Sequence, residues 1–316
     1  MDSESYPRGT VESLLKKNEG PNVDFKSGFV SIIGAPNAGK STLLNRMLGQ
    51  KISITSKKPQ TTRNRIIGVV HRPSTQLVLI DTPGVHLARD LLNTRIVEVA
   101  LSTLADVDLM IVILDVAHPD PGSEGLMVKN IEPHKRPVIL ALNKIDLIEK
   151  PKLLSIIDNW ASVYSFAEII PISAKTGAQV EELIQTMESF LPKGPPFYPA
   201  DTITDLPERF IAAEIIREKV FRLTGQEIPY SAAVTVDSFD VVKNGKLVKI
   251  QATIHLERES QKGIVIGKKG SKLKTIGETS RKDIERMVGT QVFLKIYVRV
   301  QKNWSKDTKA LKKFGY

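Results

Sequence analysis

The sequence predicts an α/β domain with a mostly parallel sheet, followed by a smaller α+β domain. Three observations support this fold class. Short apolar runs alternate with longer amphipathic stretches between residues 29 and 191. A proline-rich segment follows, and the rest of the chain fits a helix, two strands, a helix–turn–helix and a last strand. Alternation of strands and helices is typical of parallel sheets with crossover helices.

Five apolar runs in the first region are predicted to form the buried strands. They are FVSIIG, LVLIDTP, LMIVILD, PVILALN and EIIPIS. Several of them are apolar without alternation, as expected for strands covered on both faces. A further run, RIIGVVH (residues 65–71), is predicted to be an edge strand antiparallel to its neighbour.

Proline content marks the predicted domain boundary. The stretch LPKGPPFYPADTITDLPERF (residues 191–210) carries five prolines, which cannot continue a helix or a central strand. We predict a flexible tail over residues 1–27, the first domain over 28–191, a linker over 192–207, and the second domain with a basic C-terminal tail over 208–316. Within the second domain, SAAVTVDSF and LVKIQATIHLE are predicted strands joined through the turn KNGK.

The charge is concentrated at the C-terminal end. The 316 residues carry a net charge of +10, but residues 262–316 contain 15 basic and 4 acidic residues, a local charge of +11. This excess indicates a polyanion partner, with a solvated basic tail as the alternative. The absence of cysteine fits a reducing cytosol, and no apolar run approaches the ~18 residues of a membrane span. We therefore expect a cytoplasmic protein.

The segment GAPNAGKS (residues 34–41) fits a phosphate-binding loop between a strand and a helix. Two glycines allow the tight path, and the helix N-terminus adds a favourable dipole for phosphate. Lys40 is expected to reach the outer phosphates, and the Ser41 hydroxyl to bind Mg²⁺. A chance glycine turn is the alternative. The predicted contacts are Gly34, Ala35, Pro36, Asn37, Ala38, Gly39, Lys40, Ser41 and Thr42.

The motif DTPG ends the next predicted strand. Asp81 is expected to hold Mg²⁺ through water, and the Gly84 N–H to meet the γ-phosphate. An aspartate before a Pro-Gly turn is commonly structural, which is the alternative. Val85 stands where many nucleotide hydrolases have a glutamine that orients the attacking water, and its side chain forms no hydrogen bond. The predicted contacts are Asp81, Thr82, Pro83, Gly84 and Val85.

Two further motifs predict guanine recognition. In NKID, Asp146 is suited to accept two hydrogen bonds from guanine, and adenine would leave this carboxylate poorly paired. Asn143 is expected to serve the other edge of the base, and the Lys144 stem to cover it. In SAK (Ser173, Ala174 and Lys175), the Ala174 N–H is expected to meet the guanine oxygen. Alone, such a motif is often a surface turn; here each follows a predicted strand.

The segment KKPQTTRNR (residues 57–65) lies where a loop that senses the γ-phosphate is expected. Thr61 or Thr62 is predicted to reach Mg²⁺, and we favour Thr62. An ordinary flexible loop is the alternative. His86 is the nearest titratable group to the DTPG turn, and we expect it to be structural rather than a general base.

A Gly-Lys-Lys-Gly turn within VIGKKGSKLKTIG (residues 265–277) predicts an RNA site. Such a turn between helices lets a nucleic-acid backbone approach closely while an apolar groove takes the bases. The predicted contacts are Ile266, Gly267, Lys268, Lys269, Gly270, Lys272 and Lys274. The element order resembles a KH domain of the bacterial kind (type II). An RRM is disfavoured because no aromatic pair with its spacing lies on the strands. Trp304 is expected to cap the core rather than stack a base.

These motifs together resemble the Era family of GTPases, most specifically in LLNRMLGQKISITSKKPQTTRNRI (residues 43–66). The resemblance implies a P-loop GTPase domain, a C-terminal type II KH domain and GTP/GDP with Mg²⁺. It also implies binding to the 3′ end region of small-subunit (16S) rRNA and a role in 30S subunit biogenesis. Slow hydrolysis is expected, with direct roles for Asn37, Lys40, Thr62 and Gly84. Asn37 matches an asparagine that coordinates K⁺ in related GTPases.

Two other classes of function remain open from the sequence. One is a GTP-dependent RNA tether with negligible hydrolysis, which the lack of an obvious catalytic residue favours. The other is a switch at the inner surface of the membrane, since a basic face also meets anionic lipid. We expect at most peripheral membrane contact, and a monomer.

Overall fold

The structure is a computed structural model of the 316-residue chain. It describes residues 24–55, 63–85, 94, 97, 98, 100, 101, 106–225, 228, 231–242 and 244–314. These residues form two sheets, one of six strands and one of three.

The six-stranded sheet has the order β2-β3-β1-β4-β5-β6, and all neighbours are parallel except β2 and β3. The predicted antiparallel edge strand is therefore confirmed. Because the parallel strands run in one direction, the phosphate loop, DTPG, NKID and SAK motifs meet at one edge. The strands are β1 (Lys26–Gly34), β2 (Ile66–His71), β3 (Thr75–Asp81), β4 (Leu109–Asp115), β5 (Val138–Asn143) and β6 (Glu168–Ile172).

Helices cover both faces of this sheet. Residues of α1 and α4 belong to one buried cluster, whereas residues of α2 and α3 pack against another on the opposite face. This explains why the central strands are apolar at successive positions. The helices are α1 (Lys40–Leu48), α2 (Pro121–Ile131), α3 (Lys150–Val163) and α4 (Val180–Phe190).

The predicted linker follows the sheet closely. The Gln76 side chain accepts hydrogen bonds from the Phe197 and Tyr198 N–H groups at 2.7 and 3.0 Å. Farther along, the Val69 N–H donates to the Ile203 carbonyl at 2.8 Å. Residues 192–207 therefore lie along the β2 edge and pair with some of its backbone groups, among them the Val69 N–H and the Ile67 carbonyl. Strand β1 also begins at Lys26, two residues before the predicted domain start.

The three-stranded sheet has the order β7-β8-β9, antiparallel between the first pair and parallel between the second. Asn244 and Gly245, with φ of 53° and 86°, form the predicted turn of the β7–β8 hairpin. The predicted element order is confirmed. The elements are α5 (Glu208–Leu223), β7 (Ala233–Val242), β8 (Leu247–Leu256), α6 (Glu259–Ile266), α7 (Ser271–Val288) and β9 (Gln291–Val300). The segment predicted as a basic tail includes a short helix, α8 (Thr308–Lys313).

Helix α5 is buried at every position from Ile211 to Phe221, including its charged residues. Its apolar side chains belong to the core, whereas Glu218 meets residues of the loop after α1. A helix between two packed bodies needs partners on all sides, so its charged groups are paired instead of solvated. In the described ranges, no helix has the length and apolarity needed to cross a membrane.

Candidate nucleotide site and RNA-facing turn

The phosphate loop connects β1 to α1 through two left-handed residues, Asn37 (φ 65°) and Gly39 (φ 109°). A Cβ added at Gly39 would lie 2.2 Å from Asn143 Nδ2. Glycine is therefore required at this position by both the backbone and the neighbouring side chain. Asn37 stands exposed at the loop, on the wall of a cleft.

Lys40 lies within the loop that it is predicted to serve. Its ammonium group donates to the Gly34 and Ala35 carbonyls at 2.9 Å each, and its side chain is buried. Burial lowers the pKa of Lys40 to about 8, against the opposing charge of Asp81. Phosphate oxygens near this group would restore its preference for the charged form.

Asp81 is fully buried at the end of β3. Its Oδ2 accepts hydrogen bonds from the hydroxyls of Ser41 at 2.8 Å and Ser53 at 2.9 Å. Burial raises the pKa of this carboxyl, while the Lys40 charge and both serine hydroxyls lower it in part. Its Oδ1 is buried and has no hydrogen-bond partner within the described part of the chain. An orphaned carboxylate oxygen beside a serine hydroxyl fits a Mg²⁺ site.

Ser53 was missed by the sequence analysis. It lies within the stretch 43–66 that resembles the Era family, but that resemblance assigned it no role, so only its contact with Asp81 identifies it.

The DTPG turn has a structural and a cleft-facing part. The Thr82 hydroxyl donates to the Ile32 carbonyl at 2.9 Å, and Val85 is buried in the hydrophobic core. Gly84 lies against the phosphate loop, where an added Cβ would come within 2.8 Å of the Pro36 nitrogen. The Val85 side chain is thus held away from any attacking water. The predicted nucleotide contacts of Thr82 and Val85 involve at most their backbone.

Asn143 connects the phosphate end of the cleft to the base end. Its amide donates to the Ala38 carbonyl at 2.7 Å and accepts from the Ala174 N–H at 2.9 Å. Both groups were predicted to contact guanine. In this structure they bind each other, so contact with the base would share or replace that hydrogen bond, and it stays a prediction.

The base end of the cleft is formed by Lys144 and Asp146. Lys144 is left-handed (φ 70°) and forms an ion pair with Asp115. The Asp146 Oδ1 accepts from the Ser173 hydroxyl at 2.7 Å, which holds this exposed carboxylate in place. Asp115 was not predicted as a site residue, although its position at the end of β4 was the available signal.

Residues of the second domain also line this cleft. Phe221 and Arg222 at the end of α5 face the same space as the phosphate loop and Lys144. No motif in the sequence indicated that contribution. Thr61, Thr62 and His86 lie outside the described residues.

The Gly-Lys-Lys-Gly turn lies between α6 and α7, as predicted. Gly267 (φ 72°) and Gly270 (φ 78°) are left-handed, and so is Lys269 (φ 51°) between them. A Cβ on Gly267 would lie 2.7 Å from the Lys272 Cβ, so the first glycine is required for packing. Lys268 and Lys269 are exposed, as phosphate contacts require.

Trp304 is fully buried, and its indole N–H donates to the Ser231 carbonyl at 3.0 Å. The Phe314 ring lies edge-on at 5.2 Å between centroids. The expectation that this residue caps the core is confirmed.

Two family matches and several relatives agree with this architecture. Residues 29–144 match the family described as 50S ribosome-binding GTPase, and residues 227–305 match the KH domain. GTPase Era of Geotalea uraniireducens (strain Rf4) is 54% identical over 292 residues, covering 92% of this chain and 98% of the relative. GTPase Era of Geobacter metallireducens is 55% identical over 293 residues, with the same coverage of both chains.

Two solved structures are similar over nearly the whole chain. Era in complex with MgGDPNP and nucleotides 1506–1542 of 16S ribosomal RNA is 40% identical, with a TM-score of 0.89. It is matched over 99% of its length and 92% of this chain. A variant of Aquifex aeolicus Era bound to GDP and AlF₄⁻ is 39% identical, with the same TM-score and coverage. The chain is therefore a member of the GTPase Era family, with a P-loop GTPase domain followed by a KH domain.

Proposed function

We propose that the protein binds GTP and GDP with Mg²⁺ and hydrolyses GTP slowly. The observation that carries this function is the buried Asp81 carboxylate, whose Oδ2 accepts from Ser41 and whose Oδ1 has no partner in the described part of the chain. Ser41 and Lys40 line a cleft that also reaches Asp146. Ser41 and Asp81 would hold Mg²⁺, which when bound offsets the charge of the phosphates. Relatives solved with MgGDPNP and with GDP and AlF₄⁻ support the binding of guanine nucleotides, and the first also supports Mg²⁺.

The guanine preference is tested by Asp146→Asn. The carboxylate accepts from both the N1–H and the 2-amino group of guanine. The asparagine amide accepts through its oxygen but donates through its nitrogen, which suits xanthine because xanthine has an oxygen in place of the 2-amino group. We expect the variant to lose GTP binding by 100-fold or more, on the order of one unpaired charged group, and to gain XTP binding. Asp158→Asn, an exposed change on α3, is the control. Unchanged GTP affinity in Asp146→Asn would remove the proposed role.

Hydrolysis without a glutamine is proposed to depend on a second cation near Asn37. Val85 is buried, so its side chain cannot orient water. Asn37 lies at the exposed tip of the phosphate loop, where K⁺ would offset charge developing between the phosphates. We expect faster turnover in K⁺ than in Na⁺, and loss of that difference in Asn37→Ala. Equal rates in both salts would exclude this role.

We propose that the second domain binds single-stranded RNA from the 3′ end of 16S rRNA and that the protein assists 30S biogenesis. The exposed lysines of the turn and the relative in complex with 16S rRNA nucleotides support this. We place the domains at 28–191 and 208–316. Lys268→Glu with Lys269→Glu should abolish binding to that RNA in an electrophoretic shift assay, and retention of affinity would contradict the proposal.

We further propose that the nucleotide state controls the RNA site through the segment of residues 56–62, which contains the predicted γ-phosphate sensor Thr62. Thr55 directly precedes this segment. Its N–H donates to Glu218 on α5 at 3.2 Å, and its carbonyl accepts from Arg222 at 3.0 Å. On the other side, buried Arg63 donates to the Ala232 carbonyl at 3.1 Å. The residues on both sides of this segment, Thr55 and Arg63, thus contact the second domain, and these contacts provide the route for the proposed control.

An ion network extends this connection to the RNA turn. Glu218 pairs with Lys51 at 2.5 Å, and Asp283 on α7 pairs with both Lys51 and Lys219. Helix α7 begins directly after the Gly-Lys-Lys-Gly turn. Contacts from the nucleotide domain therefore reach the helix that presents the RNA site.

The coupling is tested by comparing RNA affinity in GDP and in a non-hydrolysable GTP analogue. We expect the affinities to differ in the wild type and to converge in Glu218→Gln. Glu214→Gln is the matched control, because it lies on the same helix and pairs with Arg217 of that helix. Equal affinities in the wild type would contradict the coupling.

The RNA tether is retained as a second candidate, because no catalytic side chain replaces the missing glutamine among the described cleft residues. A GTP turnover rate no higher than the rate of GTP hydrolysis without protein would favour it.

We propose a cytoplasmic monomer. Peripheral contact with the inner membrane is a weaker proposal from the basic charge alone, and liposome flotation tests it.

A further inference from the structure

The outer face of the three-stranded sheet carries aromatic and basic side chains. On β9, alternate residues face away from the core: Phe293, Lys295, Tyr297 and Arg299 are each more exposed than the residues between them, which pack inward. The register pairs Lys249 of β8 with Phe293 and Thr253 with Tyr297. Cross-strand partners share a face, so these side chains form one surface.

One end of this face is covered by the C-terminal segment. The Phe314 ring lies 4.5 Å from the His255 ring, and Trp304 and Leu311 pack beside Ala233. The cover stops there: Phe293 is 58% exposed and Tyr297 is 37% exposed. The protein thus buries part of the face and leaves its most aromatic part open.

The open part has an excess of available cations. Lys249, Lys295 and Arg299 form no ion pair with an acidic group of the described ranges. The Lys295 ammonium lies 5.1 Å from the centroid of the Tyr297 ring. Three acidic residues are near: Asp237 accepts from the Thr253 hydroxyl at 2.6 Å, and Asp240 is the β7 partner of Lys249. Glu285 on α7 lines the same hollow as Lys249 and Phe293 and is paired with Arg281.

We propose that this outer face is a second RNA surface, on which bases of single-stranded RNA stack on Phe293 and Tyr297 while Lys249, Lys295 and Arg299 meet the phosphates. Exposed aromatic rings on a sheet, interleaved with cations, are the combination that stacks bases without strict sequence preference. The two rings are four residues apart on β9, about 13 Å along the strand, so each takes a separate base. A protein partner is less suited, because three unpaired cations favour a polyanion.

This inference rests on the proposed RNA-binding function and is tested with RNAs of two lengths. A KH turn clamps about four nucleotides, so a 5-mer engages the turn alone, whereas a 20-mer from the 3′ end of 16S rRNA also reaches a second surface. In fluorescence anisotropy with the full chain, Phe293→Ala with Tyr297→Ala should weaken 20-mer binding by about tenfold or more. Binding of the 5-mer should not change.

Two further variants separate the surface from the turn. Val241→Ala, at a 62% exposed apolar residue of β7, should leave both affinities unchanged. Lys268→Glu with Lys269→Glu should weaken both. Phe293→Trp should keep the 20-mer affinity of the wild type, because a larger ring still stacks on a base.

The outcomes distinguish the two claims. If the wild type binds both RNAs and the double alanine variant binds the 20-mer equally well, the outer-face proposal is overturned while the turn remains the RNA site. If the wild type binds neither RNA, both fail. Photocrosslinking of a 4-thiouridine 20-mer should label β9, and label confined to α6 and α7 would also overturn the proposal.

Discussion

Gly39 shows how one residue is constrained by both backbone and packing. Its φ of 109° disfavours any other residue, and an added Cβ would displace the Asn143 amide from the Ala38 carbonyl. We expect Gly39→Ala to lose nucleotide binding, measured by the fluorescence of a labelled GDP. Gly49→Ala is the control: its φ is 65°, but nothing lies within 4 Å of its added Cβ. That variant should lose only about 1–2 kcal/mol of stability and keep its affinity.

Lys40 gives a second prediction at the residue scale, one of pH dependence. With a pKa of about 8, its ammonium group is partly deprotonated near that pH before nucleotide binds. Phosphate favours the charged form, so binding of GDP should take up protons at pH 8.

Calorimetry in buffers of different ionisation enthalpy measures this uptake. The binding enthalpy should depend on the ionisation enthalpy of the buffer at pH 8, in the direction of proton uptake by the complex. Enthalpies that agree between buffers at pH 8 would contradict the prediction.

Site residues that belong to a motif of fixed spacing were predictable from the sequence. Site residues that act only through a tertiary contact were not. Lys40, Ser41, Asp81 and Asp146 follow from motifs at strand ends, and the structure brings them to one cleft or its floor. Ser53 has no motif and is recognised only by its hydrogen bond to Asp81. The guanine contact expected of Asn143 shows where motif-based prediction ends. Its amide instead connects the phosphate loop at Ala38 to Ala174 of the SAK motif through two hydrogen bonds.

At the scale of elements, α5 is the connection between the domains. Burial raises the pKa of Glu218, but the hydrogen bond and charge of Lys51 and the charges of Lys219 and Arg222 outweigh it, so the pKa lies below 4.5. A lowered carboxyl pKa means that the folded state binds fewer protons than the unfolded state. The stabilisation is therefore present above pH 4.5 and is lost as the pH falls further.

Glu218→Gln should remove this contribution at neutral pH. It leaves Arg222 without its carboxylate and leaves Lys51 and Lys219 with Asp283 alone. Removing one partner of a fully buried pair costs about 3–5 kcal/mol. Because Lys51 and Arg222 are partly exposed, we expect about 2 kcal/mol in urea unfolding. The variant should also lose the acid-dependent part of its stability below pH 4.5. An unfolding midpoint equal to that of the wild type would contradict the ion network.

The elements themselves were largely predictable, because apolar runs and turn residues are local signals. The hairpin turn, the antiparallel edge strand and the helix–turn–helix are found where they were expected. The strap of residues 192–207 was not predicted as ordered, since its contacts with Gln76 and Ile67 depend on distant strands. The aromatic surface of β9 also needed the structure, which shows which face α8 leaves open.

At the scale of the whole molecule, the charge is divided between the domains. The last 55 residues carry +11, and the remainder is close to neutral. RNA affinity should therefore fall steeply with salt, with a slope of about −0.7 in log K against log salt for each phosphate neutralised. Lys268→Ala with Lys269→Ala should reduce the slope by about 1.4, whereas Lys150→Ala on α3 should not. An unchanged slope would exclude phosphate contacts at the turn.

The central claim is that one molecule couples GTP hydrolysis to RNA binding. It is tested most directly by GTP turnover in K⁺ buffer, with a 3′-end 16S rRNA oligonucleotide or a scrambled RNA of equal length. We expect that only the matching RNA changes turnover, and that Glu218→Gln abolishes this response while Glu214→Gln keeps it. Turnover that is the same with either RNA, and in both variants, would contradict it.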